Sequence, residues 1–272
     1  MSPLTQEQLG HFNEEGYIIL RQVVSREHID AMLAAFERLM DRALAGECEI
    51  GWIDKSQRVP ARTGSLLSTS RYDDAYAQWI DGGLADQLES ALGGPGRHSL
   101  FGMLNGGGGQ AYKQGWHRDI GKPGAPDEVE FLRRHHGTFV QFNAPLLKDD
   151  HYLNIVPRSH LRASSQEEMD ASAAGQDANM PDEMIVELNA GDIVHYNANL
   201  WHRGWNPEGN LRWTMHCAFW RADREVMKHE YGQKEDILTP DYLERMPPRT
   251  REYMQRYLDA HPEDEPRSLL DL

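Results

Sequence analysis

Leu211-Arg212-Trp213-Thr214-Met215-His216-Cys217-Ala218-Phe219-Trp220 is the stretch on which the reading of the fold turns. Leu211, Trp213, Met215, Cys217 and Phe219 alternate with Arg212, Thr214, His216, Ala218 and Trp220. Side chains two apart share one face of a strand, so this period describes a strand with an apolar face on a core. The other, more polar face then lines a cavity. An enclosed guanidinium needs an anionic partner, and its planar fork matches a carboxylate. Arg212 alone reads as half of an internal salt bridge; beside a metal site it reads as the anchor of a carboxylate ligand.

Upstream, from about residue 98, the chain breaks into short alternating segments separated by Gly, Pro, Asn and Asp, the pattern of a sandwich or barrel. The expected strands are 99–104, 110–114, 138–146, 154–156, 184–188 and 193–196, besides 211–220. The polar run 162–182 is expected to be a mobile surface loop, long enough to suggest a lid. Residues 5–46 read as helix, short strand, helix. Thr5 and Ser25 are the expected caps, Gly16 the stop, and Ile29, Met32, Leu33, Phe36 and Met40 the buried stripe. Between 47 and 100, strands are expected at 52–53 and 65–68 and a helix over 75–92. The charged tail, 221–272, holds one helical stretch near 250–258. It could cover the barrel mouth, meet a second copy in a homo-oligomer or wrap the outside. A single domain is expected over 1–272, with a helical part (1–97), a β core (98–220) and a helical extension (221–272).

His117-Arg118-Asp119 carries the chemistry. On an extended segment His117 and Asp119 share a face while Arg118 points away. With His202 as a distant third donor they form a two-histidine, one-carboxylate set, which suits non-haem iron(II) and leaves open coordination positions. A bidentate 2-oxo acid and dioxygen would fill those positions. Taken alone, His-x-Asp is weak among 13 histidines. It gains weight from His202-Arg203-Gly204 and from Arg212 ten residues further on. Gln141 and Asn143 share a face of 138–146; they read equally as ligand contacts and as ordinary barrel hydrogen bonds. The glycine run 106–109 reads as a tight turn or a mouth loop, and His135, His136 and His160 as loop or surface residues.

The net charge of −15 opposes a nucleic-acid partner and mainly serves solubility. No apolar run reaches the roughly 20 residues of a membrane span, and the first residues lack the pattern of a signal peptide. Two distant cysteines, Cys48 and Cys217, make a disulfide framework improbable, so a cytoplasmic setting is expected.

Several motifs occur in order: Thr5–Leu9, Asn13–Tyr17, His117-x-Asp119, Val156-Pro157-Arg158-Ser159-His160, Ala190-Gly191-Asp192, His202-Arg203-Gly204 and Arg212. As a set they resemble the phytanoyl-CoA dioxygenase family over roughly four-fifths of the chain. The resemblance implies a mainly β fold with helices: a double-stranded β-helix (jelly-roll, cupin-like) core flanked by N- and C-terminal helices. It implies iron(II) on His117, Asp119 and His202, and 2-oxoglutarate, the co-substrate used with O2, anchored by Arg212. Asn105 resembles a co-substrate contact of relatives, although a turn residue is the simpler reading. The sequence departs from the family at Arg158, where glycine is usual, and at Leu153-Asn154-Ile155, where Asn-Gly often lies upstream. It departs again at Gly204, where many relatives place a hydroxyl; Thr214 is the candidate replacement. The implied activity is oxidation, chiefly hydroxylation, of a small metabolite at an unactivated C–H bond. The rivals are a cupin-like metal-dependent lyase or isomerase and a non-catalytic jelly-roll binding module. Arg212 argues against both, since neither needs a carboxylate fork facing the metal.

Overall fold

The computed structural model describes residues 1–234, 237 and 241–269. The rest of the 221–272 extension lies outside the described residues.

The chain begins with helix α1 (Gln6–Glu15). Its start is set by Thr5, whose hydroxyl accepts from the Gln8 amide while the Gln8 side chain accepts from the Thr5 amide. Gly16 ends it at φ +83°, and a Cβ there would lie 2.6 Å from the His160 ring. Strand β1 (Tyr17–Leu20) follows, then α2 (Arg26–Leu44), capped by Ser25 as expected. The expected helix over 75–92 is two helices, α3 (Asp74–Trp79) and α4 (Ala85–Leu92), joined by a π turn. The break falls at Gly82-Gly83, where Gly83 sits at φ +108°, a conformation outside any helix. Strand β2 (Trp52–Asp54) pairs with β3 (Val59–Pro60), whereas 65–68, expected as a strand, forms a turn.

The remaining strands are β4 (Gly96–Gly106), β5 (Tyr112–Lys113), β6 (Phe139–Pro145), β7 (Asp150–Ile155), β8 (Met184–Leu188), β9 (Ile193–Asn197), β10 (His202–Asn206) and β11 (Arg212–Arg221). They form a five-stranded sheet, β1-β9-β6-β11-β4, and a four-stranded sheet, β5-β10-β7-β8, both antiparallel. Helix α5 (Glu128–Arg134) leads into β6, and α7 (Pro248–Asp259) packs on β4. Helical residues outnumber strand residues, so the fold is mixed rather than mainly β. The reason lies in the two outer parts, whose helices cover one whole sheet face. No helix among the described residues is long and apolar enough to cross a membrane.

The alternation sorts as its period demands over 212–217. Leu211, expected on the apolar face, instead precedes β11 and is 62% exposed, and Ala218 and Trp220 bury in a second apolar cluster where the register shifts between Ala218 and Phe219. Met215, Cys217 and Phe219 join Met103, Val140 and Phe142 of the neighbouring strands and Met32, Phe36, Trp79 and Leu88 of the helices in one buried core. Each fully buried large side chain there contributes about 1.5–3 kcal/mol, which fixes the sheet against the helices. Arg212 and His216 face the opposite way, into a cavity between the two sheets.

The run 162–182, expected as a mobile loop, carries helix α6 (Gln166–Ala173). Ser165 and Glu168 form a second capping box, and the buried Glu168 carboxylate also binds Arg162. Ser172 donates to the Trp116 carbonyl (2.9 Å) and the Trp116 indole donates to the Ala178 carbonyl (3.1 Å). The segment is therefore tied down beside His117. Arg158 takes φ +63°, the left-handed conformation that suits the usual glycine, and its guanidinium reaches Glu14 and Glu15.

Candidate metal centre

His117 lies outside any regular strand. It pairs with the first residue of β10 through an isolated bridge, His117 N to His202 O (3.1 Å) and His202 N to His117 O (3.0 Å). That backbone pairing brings together two residues 85 positions apart. Each ring is then oriented by a carbonyl two residues earlier in its own segment. His117 Nδ1 lies 2.8 Å from the Gly115 oxygen, and His202 Nδ1 lies 2.9 Å from the Leu200 oxygen. A carbonyl can only accept, so Nδ1 carries the proton and Nε2 presents a lone pair. Both Nε2 atoms point at the Asp119 carboxylate, at 3.7 Å (His117) and 3.6 Å (His202). One donor atom from each residue falls within 4.8 Å of the others, a triangle sized for one ion. Burial, and then His117, push His202 down to about 4, so its ring is a neutral ligand at physiological pH.

Gln141, read equally as a ligand contact and as a barrel hydrogen bond, donates its amide to Asp119. Its carbonyl accepts from the Tyr196 hydroxyl (2.8 Å), so a Tyr196–Gln141–Asp119 chain holds the carboxylate in place. Gln141 still borders the cavity, as does Asn143, which bonds to His216 Nδ1 (2.8 Å).

The cavity is about 410 Å³ and is lined by the metal-site residues and by Tyr112, Tyr196, Arg212 and His216. At its far end Arg212 is buried and already has a partner. Its Nε donates to Asp150 Oδ2 at 2.9 Å, and Nη2 is 3.5 Å from Oδ1. Thr214 also donates to Asp150 and accepts from Arg212 Nε (3.3 Å). Both readings of Arg212 thus apply at once: it makes an internal salt bridge and it borders the cavity. Asn105 turns away from this cavity. Its amide donates to the Ala61 carbonyl (2.8 Å) and the Thr63 hydroxyl (3.4 Å), beside a smaller pocket. These bonds tie Asn105 to the 61–63 segment that crosses β4, and it lines the smaller pocket rather than the main cavity.

Asp150, Tyr196, His216 and Arg62 border or complete the site without being singled out by sequence. His216 was on the polar face of its strand, a usable signal. Asp150 had none, for its partner lies 62 residues away. His160 packs on the end of α1 and bonds the Asn13 carbonyl (3.1 Å), and His136 bonds the Asn13 side chain (3.1 Å). Neither histidine joins the metal set.

A helix-covered sheet facing a second sheet, with two histidines and an aspartate between them, defines a metalloenzyme-type centre. The model of the phytanoyl-CoA dioxygenase family matches residues 12–206, and the chain belongs to that family. It is accordingly an iron(II)- and 2-oxoglutarate-dependent dioxygenase. Among solved structures it is similar to EctD from S. alaskensis, crystallised with 2-oxoglutarate and 5-hydroxyectoine. The identity is 17%, over 92% of this chain and 87% of that one, with a TM-score of 0.62. AviO1 from Streptomyces viridochromogenes Tue57 shares 20% identity over 81% of this chain and 96% of that one, with a TM-score of 0.52. SnoK, a non-haem α-ketoglutarate-dependent carbocyclase from nogalamycin biosynthesis, shares 16% over 81% and 85%, with a TM-score of 0.55. These likenesses show a common fold. No curated protein matches the sequence.

Proposed function

We propose that the enzyme hydroxylates an unactivated C–H bond of a small metabolite, with iron(II) on His117, Asp119 and His202 and 2-oxoglutarate reaching toward Arg212. The observation that carries this is the pair of Nδ1–carbonyl hydrogen bonds, which aim two imidazole Nε2 atoms at one carboxylate. Two imidazoles and a carboxylate on one side of a cavity fit iron(II) and leave room opposite them. Bound there, iron couples the oxidative decarboxylation of 2-oxoglutarate to succinate and CO2 with oxidation of the substrate.

The chain supplies position and dryness. Gln141 and Tyr196 hold Asp119. The guanidinium of Arg212 keeps Nη1 free of hydrogen bonds among the described residues, available to a distal carboxylate, with Thr214 fixing the Nε side. A volume of about 410 Å³ shared with the co-substrate suits a small metabolite better than a coenzyme A thioester. That one neighbour is described with 5-hydroxyectoine supports the same size class. In this reading the two facing sheets are the halves of a double-stranded β-helix, within a single domain spanning 1–272.

The test is anaerobic. Wild-type protein with iron(II) and 2-oxoglutarate should develop a weak visible charge-transfer absorption, and admission of oxygen should yield succinate. Absence of both from folded, iron-loaded protein would refute the assignment.

A further inference from the structure

Leu100, Phe139, His229 and Leu269 line the cavity but hold neither the metal donors nor Arg212. The backbone places them. Asp119 N donates to Ala198 O (3.1 Å) and Ala198 N to Phe139 O (3.2 Å), so Phe139 stands beside the metal set. Leu100 pairs with Ala218 of β11, which pairs in turn with Gln141 of β6, the residue that holds Asp119. Paired residues on neighbouring strands share a face, so Leu100 lies on the Gln141 side of the sheet. Leu269 also borders a smaller cavity that Asp119 lines as well, and the Asp119 charge acts on the His229 ring. All four belong to the metal end.

His229 and Leu269 come from the charged tail, which is fixed where it supplies them. Glu230 is fully buried, pairs with Arg97 of β4 (2.8 and 3.1 Å) and accepts from Met227 N (2.7 Å). Arg97 also donates to the Arg224 and Glu225 carbonyls (2.9 and 2.7 Å), and the Tyr257 hydroxyl to the Glu230 carbonyl (2.7 Å). Breaking a buried pair is costly, so the backbone next to His229 has one seat. The passage ending at Leu269 is tied to the first: Lys228 N donates to Arg267 O (2.9 Å) and Arg267 Nε to Glu225 (2.9 Å).

Charge decides what this end can take. Arg62 and Arg212 line the second pocket too, which puts both at the distal end. Among the described residues lining the main cavity, no arginine or lysine stands at the metal end, and Asp119 is committed as a metal donor. Lys122 borders the smaller cavity instead, beside Asp127 and Glu128. An ion enclosed at the metal end would lose its water without gaining a counter-charge. His229 is exposed and lines the cavity, so it stands at the rim. No hydrogen bond holds its ring among the described residues. Desolvation first, against Glu230 and Asp119, keeps the ring below its usual 6.5. At neutral pH it offers one N–H and one lone pair.

We propose that His229, Leu100, Phe139 and Leu269 form the substrate subsite. The substrate is an uncharged, largely apolar small molecule carrying a hydroxyl or carbonyl group. Its apolar body packs on the two leucines and Phe139, and its polar group bonds to His229 at the rim. This rests on the proposed function, which makes the metal end the place of reaction.

Three probes of one shape test it: cyclohexylmethanol, cyclohexanecarboxylate and cyclohexylmethylammonium. Each is titrated anaerobically, by calorimetry, into ferrous protein saturated with 2-oxoglutarate. The alcohol should bind at least about 10-fold tighter than either ion. His229→Ala should weaken the alcohol by about 3- to 10-fold, the scale of one neutral hydrogen bond, and His229→Gln should restore most of the loss. Iron content and 2-oxoglutarate affinity should not change. An ion bound as tightly as the alcohol would overturn the substrate class, as would no detectable binding of the alcohol. Equal alcohol affinity in wild type and His229→Ala would overturn the subsite, and so would a matching loss of 2-oxoglutarate affinity. Failure of wild-type ferrous protein to bind 2-oxoglutarate would instead overturn the proposed function, and the inference with it.

Discussion

The two ends of the cavity are built on opposite plans. At the metal end every group converges on one point: carbonyls fix the histidine rings, Gln141 fixes the carboxylate, and three donor atoms meet there. At the distal end the principal group is turned on its own chain, Arg212 closing on Asp150 and Thr214. Preorganisation at the first end costs little, because the set holds a single carboxylate and its two rings are oriented by backbone carbonyls. A buried arginine without a partner is far more expensive, so the fold supplies an internal carboxylate. The metal end is thus specified by geometry and the distal end by charge balance.

The largest effects should break the metal end. Asp119→Ala removes the only carboxylate of the donor set and should abolish stoichiometric iron binding, with turnover falling by about three orders of magnitude or more. Metal content per chain, measured beside a melting curve, checks it. Iron retained at full occupancy would move the site elsewhere. Next, Arg212→Ala should raise the 2-oxoglutarate requirement about 100-fold with iron content nearly unchanged. It should also lower the melting temperature, since Asp150 is left buried and unpaired. Equal loss of iron would erase the distinction between the ends.

Asp150→Asn tests the distal end from the other side. The amide keeps a hydrogen-bond acceptor for Arg212 Nε and removes the competing charge. Affinity for 2-oxoglutarate should rise, by up to about 10-fold, and the ligand should stabilise the variant more than it stabilises wild type. Weaker binding would mean that Asp150 orients Arg212 rather than competing for it.

What could be read in advance follows the same division. Helix caps, the stripe of α2 and the alternation of 212–217 are local patterns, and the structure repeats them. His117 and Asp119 were singled out from a two-residue spacing, although the segment is no regular strand and the common face comes from an isolated bridge to His202. Strand β10 passed unread because His-Arg-Gly-Trp-Asn has no alternation and Arg203 is buried between Trp116 and Trp205, at 4.6 and 4.2 Å from their rings. Helix α6 passed unread because its polar composition outweighed the Ser165–Glu168 cap. Asp150 and Arg62 carry no local signal at all. Their roles arise from packing that joins β7 and the 61–63 segment to opposite sides of the distal end.

The smallest expected effect is an absence of one, and it decides whether His216 takes part in holding the anion. His216 borders the same end as Arg62 and is held well below 6.5, by burial first, then by Arg62 and Arg212. A histidine lowered in this way is neutral at pH 7 and stays neutral as the pH falls through 6.5, whereas an arginine is charged throughout. If arginine alone holds the anion at that end, binding takes up no proton, and 2-oxoglutarate affinity of iron-loaded protein should be flat between about pH 6.5 and 8. If His216 served instead, the anion would raise its ring pKa, a proton would enter with the ligand, and affinity would climb as pH falls toward 6.5. Calorimetric titrations in two buffers of different ionisation enthalpy separate these outcomes, because only proton uptake makes the observed heat depend on the buffer.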